Sequence, residues 1–415
     1  MRILHFADLH LGIDLYGTTD SRTGLSSRVA DTLRALDAII DRAINEPVDV
    51  VLFAGDAFKN RDPNPTLQRE FARRMVRLAS AGIPIVLLVG NHDLPGVLTR
   101  AAATEIYEVL QIPGIRVARD IDLLHLDTPR GMLQVLTVPW VHRSAFLAHP
   151  ELRALADEDR DASISRGIEY EVRELAERLD PALPAVMLAH LSLEGAQFGF
   201  ERSIMLGNDI TLGSEALRAS AFDYVALGHI HKHQVHGSKP PIVYAGSPER
   251  VDFGEEFEDK GYVLVDILPS VTGRQTSFEF VTLPARVFRT LRIAAPGDTP
   301  METVEQEIAR RETDITGAIV RAFVTVDQGR EGSVNSVEVR RMLENLRPAF
   351  VARVVVESDA TSRARMAISG EEALDPFQML ERWVEMRNIQ GELRERMLAL
   401  GQGLIQRQRE RERGG

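Results

Sequence analysis

The sequence lacks cysteine entirely, has very few lysines and contains no long hydrophobic run. Without cysteine the chain forms no disulfides and offers no thiolate ligands, so any metal must be held by nitrogen and oxygen. No apolar stretch approaches the roughly 18 residues that a membrane-spanning helix requires. The basic residues are almost all arginine, which suits bidentate contacts to phosphate, although a GC-rich genome explains the same bias more simply. The four lysines are Lys59, Lys232, Lys239 and Lys260.

The bulk composition is that of a water-soluble globular protein with more than one domain. At 415 residues, with 44% hydrophobic and 27% charged residues, the chain is expected to form two or three domains. A net charge of −12 argues against nucleic-acid binding driven by overall charge, but it permits a locally basic groove or bound cations. The first polar motif starts at Asp8, so a cleaved signal peptide would destroy it. We therefore expect a cytoplasmic location.

Short polar motifs within the first 231 residues each follow a run of apolar, β-prone residues. We therefore expect each motif at the end of a buried strand, where open α/β sheets bind their ligands. Carboxylates, an amide and several imidazoles together form an oxygen and nitrogen set that suits two divalent transition metals. Pairs of such ions hydrolyse phosphate esters, which predicts a metal-dependent enzyme acting on them. The motifs are Asp8-Leu9-His10, Gly55-Asp56, Gly90-Asn91-His92-Asp93, His190 and Gly228-His229-Ile230-His231.

Taken singly, several of these residues have ordinary structural explanations. Asp8 and His10 alternate along an extended segment and project to one side, yet Asp-x-His also occurs by chance. Asp56 is placed to bridge two cations, but a carboxylate there could equally cap a helix. A lone His190 more often packs as a core histidine than binds a metal. The metal site is favoured because all the motifs occur together at predicted strand ends.

The Gly90-Asn91-His92-Asp93 motif is more specific. Asn91 offers a neutral oxygen that keeps the charge on the second ion low, and Gly90 permits a tight turn. His92, adjacent to Asn91, is expected to point elsewhere and to be free as a general acid. His229 and His231 again present two imidazoles on one side of an extended segment.

Hydrophobic periodicity predicts an α/β fold of two sheets, a β-sandwich flanked by helices. Helices over 28–45 and 66–80 alternate with strands, which implies right-handed crossovers and a largely parallel first sheet. A helix-rich insert is expected over 151–179, and the later strands are assigned to a second sheet packed on the first. The strands are predicted at 2–7, 48–54, 83–89, 115–118, 121–127, 132–139, 184–189, 223–227, 233–236, 241–245, 261–267 and 277–283.

After the core domain (1–285), the pattern starts again as a small α+β domain over 286–357. A linker (358–372) and C-terminal helices (373–415) are predicted to follow. The C-terminal helices start at Asp375-Pro376, an N-cap residue followed by proline, and a break is expected near Gly391. The domain has predicted strands at 287–294, 318–326 and 351–357 and helices at 300–311 and 335–345.

These motifs resemble the calcineurin-like metallophosphoesterase superfamily, and further matches narrow the resemblance to the SbcD-type DNA double-strand-break repair nucleases. The resemblance is specific over roughly residues 1–285, and beyond them it is one of architecture only. The matches that narrow it are His10-Leu11-Gly12, Phe222-Asp223-Tyr224-Val225-Ala226-Leu227-Gly228-His229-Ile230-His231-Lys232, Tyr244-Ala245-Gly246-Ser247-Pro248-Glu249 and Lys260-Gly261-Tyr262.

The resemblance implies a metallophosphoesterase fold with two Mn²⁺ ions, although other divalent metals are compatible. A hydroxide activated by the two metals would attack the phosphodiester in line, and His92 would orient the phosphate or protonate the departing oxygen. Asp93 would fix the tautomer of His92. One ion would be held by Asp8, His10, Asp56 and His231, and the other by Asp56, Asn91, His190 and His229.

The resemblance also implies DNA as substrate, with 3′→5′ exonuclease activity on duplex ends and endonuclease activity on single strands or hairpins. Residues 286–357 would cap the site and present DNA. The C-terminal helices would dock on the coiled coil of an SbcC-type ABC ATPase, and the enzyme would be a nucleoid-associated bacterial homodimer. At Lys59 some relatives carry histidine, in a Gly-Asp-Leu-Phe-His stretch. Lys59 cannot act as a neutral base at pH 7, although its charge can bind phosphate. The resemblance therefore does not predict how strong the exonuclease activity on duplex DNA is.

Alternatives remain at the level of substrate and partner. The same metal core would serve an enzyme on small phosphate esters, but such an enzyme does not need the 130 residues after 285. A scaffold with vestigial catalysis is disfavoured by the intact ligand set. The apolar helix face predicted to dock on the ATPase could instead fold back onto the chain itself. That face consists of Phe377, Met379, Leu380, Trp383 and Val384.

Overall fold

The computed structural model divides the chain into two compact units, Met1–Phe288 and Arg289–Gly415. The sequence places this boundary after residue 285. No helix in the described ranges has the combination of length and apolar character needed to cross a bilayer. The structure describes residues 1–46, 48–95, 100–141, 157–199, 210–213, 221–271, 273–358 and 391–414, together with Phe377, Leu380, Glu381 and Val384.

The secondary structure follows the predicted alternation closely in the first unit. The strands are β1 Arg2–Phe6, β2 Val50–Phe53, β3 Ile85–Leu88, β4 Ile115–Ala118, β5 Asp122–Thr128, β6 Gly131–Val138, β7 Ala185–His190, β8 Ser192–Leu193, β9 Thr211–Leu212, β10 Tyr224–Gly228, β11 Gln234–Ser238, β12 Pro241–Tyr244, β13 Gly261–Ser270, β14 Gly273–Thr282, β15 Phe288–Ala294, β16 Ile319–Val326 and β17 Phe350–Ser358. The helices are α1 Ser27–Asn45, α2 Pro65–Ser80, α3 Ile106–Val109, α4 Asp157–Ala176, α5 Pro300–Arg310, α6 Glu312–Ile315, α7 Ser336–Asn345 and α8 Glu392–Gly414.

Two six-stranded sheets form the body of the first unit. The first has the order β14-β13-β1-β2-β3-β4, in which β1 to β4 are parallel. The second has the order β11-β12-β10-β7-β6-β5, with β6, β7, β10 and β12 parallel. The predicted architecture of two sheets flanked by helices is confirmed.

The expected sheet assignment of 261–267 and 277–283 is wrong. Both segments belong to the first sheet, where β13 pairs antiparallel with β1 and β14 extends that pairing outward. The pairing places Val265 opposite Ile3, so the end of the core domain returns to its first strand. Alternation of apolar and polar residues identifies a strand and its buried face. It does not identify a partner strand that lies more than 250 residues away in the sequence.

The hydrophobic core lies in three layers. Between the sheets, Val50 and Leu52 of β2 pack in the same buried cluster as Val186 and Leu188 of β7. Helices α1 and α2 cover the outer face of the first sheet, and α4 covers that of the second. Helix α2 begins where predicted because the Asn64 side chain accepts hydrogen bonds from two backbone N–H groups of its first turn.

The second unit contains the predicted α+β elements. Strands β15, β16 and β17 form one sheet in that order, with β16 and β17 parallel. Helices α5 and α7 bury Val304, Ile308, Val339 and Leu343 in its core. The predicted break at Gly391 is confirmed, since this residue has φ +67° and α8 begins directly after it.

The predicted docking face is only partly described. Val384 is fully buried within this chain, and Leu380 lies directly against Gly401 of α8. Val384 is therefore covered by the chain itself and Leu380 is partly covered, which agrees with the alternative of a face that folds back. Met379, Trp383, the Asp375-Pro376 helix start and all of the predicted linker except Ser358 lie outside the described residues.

Candidate metal centre

The parallel strands of both sheets place the polar motifs at one edge. Asp8 comes two residues after β1, Asp56 three residues after β2 and Asn91 three residues after β3. These strands are neighbours and run in the same direction. On the other sheet, His190 is the last residue of β7 and His229 follows β10. The sandwich therefore brings together residues that are far apart in the sequence.

A single carboxylate oxygen stands at the middle of the cluster. Oδ2 of Asp56 lies 3.6 Å from Nε2 of His10 and 3.5 Å from Nε2 of His190. The other oxygen, Oδ1, accepts a hydrogen bond of 2.8 Å from the backbone N–H of His92. The Asp56 carboxylate is thus fixed with one oxygen between two groups of ligand atoms. This is the arrangement of a bridging ligand.

Each side of Asp56 carries its own set of donors. On one side, Nε2 of His10 and Nε2 of His231 are 2.9 Å apart. On the other, Oδ1 of Asn91 lies 2.9 Å from Nε2 of His190 and 3.2 Å from Nδ1 of His229.

Asp8 completes the set of predicted ligands. The ligand atoms of Asp8, Asp56 and His190 lie within 4.8 Å of one another. The structure therefore brings all seven predicted ligands together: Asp8, His10, Asp56, Asn91, His190, His229 and His231.

Hydrogen bonds orient two of the imidazoles so that Nε2 points into the cluster. Nδ1 of His190 donates to the carbonyl of Ala54 at 2.6 Å, and Nδ1 of His231 donates to Oε1 of Glu255 at 2.7 Å. When the ring is neutral, as a metal ligand must be, Nε2 of each imidazole is then the lone-pair donor. Facing nitrogens such as those of His10 and His231 repel unless a proton or a cation lies between them. The donor set fits divalent metal ions.

Four of the predicted ligand residues have left-handed backbone conformations, which residues other than glycine rarely adopt. The φ angles are +52° at Asp8, +45° at His10, +61° at Asp56 and +100° at His229. Cross-strand hydrogen bonds hold this strained backbone, among them Asp8 N–H to Gly55 O and His10 N–H to Asp56 O, both 3.0 Å. Strain of this kind is typical of functional sites, where the fold fixes ligands before the metal binds.

Burial and mutual attraction set the charges in the cluster. Burial raises the pKa of Asp8. Burial would also raise the pKa of Asp56, but the neighbouring His190 and His10 outweigh it and hold that pKa far below its usual range. Burial lowers the pKa of His190, but Asp56 and Asp8 more than compensate and raise it to about 9. Without metals this site therefore holds protons close to its carboxylates, and incoming cations would replace them.

His92 lies at the exposed rim of the centre. Its ring stands edge-on to His10 with centroids 4.7 Å apart, and its Nδ1–H donates to the backbone carbonyl of Lys59 at 2.9 Å. Nε2 is therefore left as the reactive nitrogen. The spacing of His10, Asp56 and His92, within 4.8 Å, also fits a metal ligand. The Lys59 side chain extends to Asp14, with Nζ 3.2 Å from Oδ1.

The expected role of Asp93 in fixing the His92 tautomer is wrong. The buried Asp93 carboxylate accepts hydrogen bonds from the backbone N–H groups of Asp56, Ala57 and Gly90 at 2.9 to 3.1 Å. Asp93 therefore holds the turn that carries the bridging carboxylate. The carbonyl of Lys59 performs the function expected of Asp93.

The sequence did not identify Trp140 and Glu255 as part of the site. The Trp140 ring lies 4.8 Å from that of His229 and 6.1 Å from that of His190. Glu255 lies in the short 3₁₀ turn Phe253–Glu255 and contacts His231 across 24 residues. Neither residue belongs to a spacing pattern, so only the folded structure reveals them.

The turn at Gly90 packs so closely against Asp56 that only glycine fits at this position. A Cβ at Gly90 would overlap the Asp56 carboxylate and the backbone nitrogen of Asp56. We expect Gly90→Ala to displace Asp56 and to weaken binding of both metal ions, measured by calorimetric titration with Mn²⁺. Gly167→Ala in α4 is the matched control, because nothing lies within 4 Å of its added Cβ. Unchanged Mn²⁺ binding in Gly90→Ala would show that the Asp56 position is not critical.

Comparison with known proteins agrees with this geometry. The family model for calcineurin-like phosphoesterases matches residues 1–233. The chain belongs to the calcineurin-like phosphoesterase family. It has the metallophosphoesterase fold and is a metal-dependent phosphoesterase whose ligands form a dimetal site.

Similar proteins within the calcineurin-like phosphoesterases include bacterial SbcD proteins, which are components of the SbcCD nuclease. The chain is 31% identical to the SbcD protein of Bacillus subtilis, over 68% of this chain and 70% of that protein. It is 28% identical to the SbcD proteins of Rhodobacter capsulatus, over 73% and 74%, and Escherichia coli, over 68% of both chains. The resemblance to SbcD-type nucleases is confirmed.

Proposed function

We propose that this protein is a Mn²⁺-dependent DNA nuclease, a 3′→5′ exonuclease on duplex ends and an endonuclease on single strands and hairpins. The observation that carries the proposal is the Asp56 oxygen placed between two groups of ligand atoms. The relatives named as components of a nuclease support DNA as the substrate. Imidazoles on both sides of Asp56 favour a transition metal such as Mn²⁺ over Mg²⁺, which prefers oxygen ligands.

The residues divide the work of phosphodiester hydrolysis. Two divalent cations, when bound, supply Lewis acidity and lower the pKa of a water for in-line attack. Asp56 would hold both ions, and Asn91 would contribute an oxygen without charge. His92, exposed and oriented through Lys59 O, directs Nε2 to the substrate side. There it would orient the phosphate or protonate the leaving sugar oxygen.

We also propose partners for this protein. Residues 286–357 would present DNA to the centre, and the C-terminal helices would dock on an SbcC-type ATPase in double-strand-break repair. The names of the relatives, which make them part of an SbcCD nuclease, support such an assembly. Because Val384 is buried in this chain, docking would use other positions of the C-terminal region. A homodimer and a cytoplasmic, nucleoid-associated location complete the proposal.

Substrate choice separates this proposal from an enzyme on small phosphate esters. EDTA-treated protein is supplied with Mn²⁺ or Mg²⁺ and given blunt duplex, recessed duplex, hairpin DNA or bis-p-nitrophenyl phosphate, with and without the ATPase. We expect DNA cleavage with Mn²⁺ and little with Mg²⁺, measured by release of labelled nucleotides. Turnover of the small ester alone, even with the ATPase present, would favour the alternative and contradict the nuclease proposal.

A further inference from the structure

We propose that Glu255 and Lys260 form a positioning pair that fixes the ring orientation and tautomer of His231, and thereby sets the affinity of the cation that His231 holds. Neither residue is a predicted ligand, and neither lies near His231 in the sequence. The inference goes beyond the proposed function, because it concerns metal binding and holds whichever phosphoester is the substrate.

The two oxygens of Glu255 have separate partners. Oε1 accepts the Nδ1–H of His231 at 2.7 Å. Oε2 lies 2.8 Å from Nζ of Lys260 and accepts the backbone N–H of Val251 at 2.9 Å. With Oε2 held at two points, the carboxylate cannot rotate, and Oε1 stays directed at the imidazole. The His231 ring therefore keeps Nε2 as the lone-pair donor that faces His10.

Lys260 is an unusual residue to find in this position. It is only 1% exposed, and a buried ammonium is costly unless it is paired. Its Nζ contacts Oε2 of Glu258 at 2.8 Å and the backbone carbonyl of His231 at 3.1 Å, in addition to Glu255. All three N–H donors thus have acceptors. Lys260 therefore restrains His231 in two ways. It binds the backbone carbonyl of His231 directly, and it holds Glu255, which binds the His231 ring.

The charge of this network distinguishes His231 from His190. Nδ1 of His190 faces the neutral carbonyl of Ala54, whereas Nδ1 of His231 faces a carboxylate. A carboxylate partner makes an imidazole a more basic ligand and orients it more firmly. A purely structural role is the competing explanation, in which Lys260 only anchors the turn at Glu255 and Glu258 to β13. The two explanations differ in what they predict for metal affinity.

The test is calorimetric titration of the metal-free full-length protein with Mn²⁺. Removing such a partner typically costs about 10- to 100-fold in metal affinity, and we expect a loss of this size at one of the two sites in Lys260→Met and in Glu255→Gln. The double variant should bind Mn²⁺ no more weakly than Lys260→Met alone, because both substitutions interrupt the same chain of contacts from Lys260 through Glu255 to His231. The matched control is Glu258→Gln, which removes one negative charge beside Lys260, keeps an oxygen that can accept from Nζ, and leaves the contact between Glu255 and His231 in place. Its affinity should be unchanged.

Thermal unfolding without metal identifies a merely structural role. If Lys260→Met and Glu255→Gln lower the metal-free Tm while Mn²⁺ affinity stays at the wild-type value, the proposal is overturned. If Lys260→Met does not fold, a measurement on the wild type decides. Long-range ¹H–¹⁵N correlation on histidine-labelled, metal-free protein, assigned with His231→Asn, should show His231 with the proton on Nδ1. A proton on Nε2 alone would contradict the proposal.

Discussion

Asp56→Asn is expected to lower phosphodiester hydrolysis on the order of 10³-fold or more, about 4 kcal/mol in the activation barrier. Asparagine has the same size, and its amide oxygen can still accept the backbone N–H of His92. It lacks the negative charge, however, and an amide cannot bridge two cations as a carboxylate does. We expect Mn²⁺ titration to show that simultaneous occupancy of the two sites is lost, while circular dichroism shows an intact fold.

Asp41→Asn provides the matched control for this loss. Asp41 lies on α1, pairs with Arg77 at the surface and is half exposed, so the same chemical change occurs on a helix that carries none of the predicted metal ligands. Exposed ion pairs contribute little to stability, and the control should keep wild-type Mn²⁺ binding and rate. An Asp56→Asn protein that still binds two ions and hydrolyses DNA at the wild-type rate would refute the bridging role.

The second large effect is expected for His92→Asn, which should slow DNA cleavage by about 10² to 10⁴-fold, the usual contribution of a general acid. Both metal ions should remain bound. The leaving sugar oxygen is strongly basic and needs a proton, whereas p-nitrophenolate leaves without one. Hydrolysis of bis-p-nitrophenyl phosphate should therefore fall much less than DNA cleavage. The ratio of the two rates measures the acid role directly.

His125→Asn is the control for this variant, because His125 is exposed on β5 and belongs to no ligand group in the described part of the chain. It should leave both rates unchanged. Two results would overturn the assignment of His92. Equal losses on both substrates would show that it does not protonate the leaving group. Weaker Mn²⁺ binding would make His92 a metal ligand, which its spacing to His10 and Asp56 permits.

The sequence was sufficient to predict which residues meet in this cluster because of one physical rule. Parallel strands end at the same edge of a sheet, so polar residues that directly follow apolar runs must meet there. Asp8, Asp56 and Asn91 follow adjacent strands of one sheet, and His190 and His229 lie at the ends of adjacent strands of the other. The two large sheets of the first unit and most of the long helices followed from hydrophobic periodicity.

What the sequence could not show depends on contacts between distant segments. The return of β13 and β14 to the first sheet is a choice of partner strand, and alternation carries no information about partners. The role of Asp93 depends on which backbone N–H groups face its carboxylate. Glu255 and Lys260 are ordinary charged residues in the sequence, and their function becomes visible only when the turn places them beside His231.

In the proposed metal centre, the Asp56 carboxylate is shared between two neighbouring cations. The direct measurement is anomalous diffraction at the manganese edge from a crystal grown with Mn²⁺. We expect two peaks about 3.5 to 4 Å apart, with Oδ2 of Asp56 between them, His10 and His231 on one ion and His190 and Asn91 on the other. A single peak, or two peaks of which only one contacts Asp56, would show that this carboxylate does not bridge two ions.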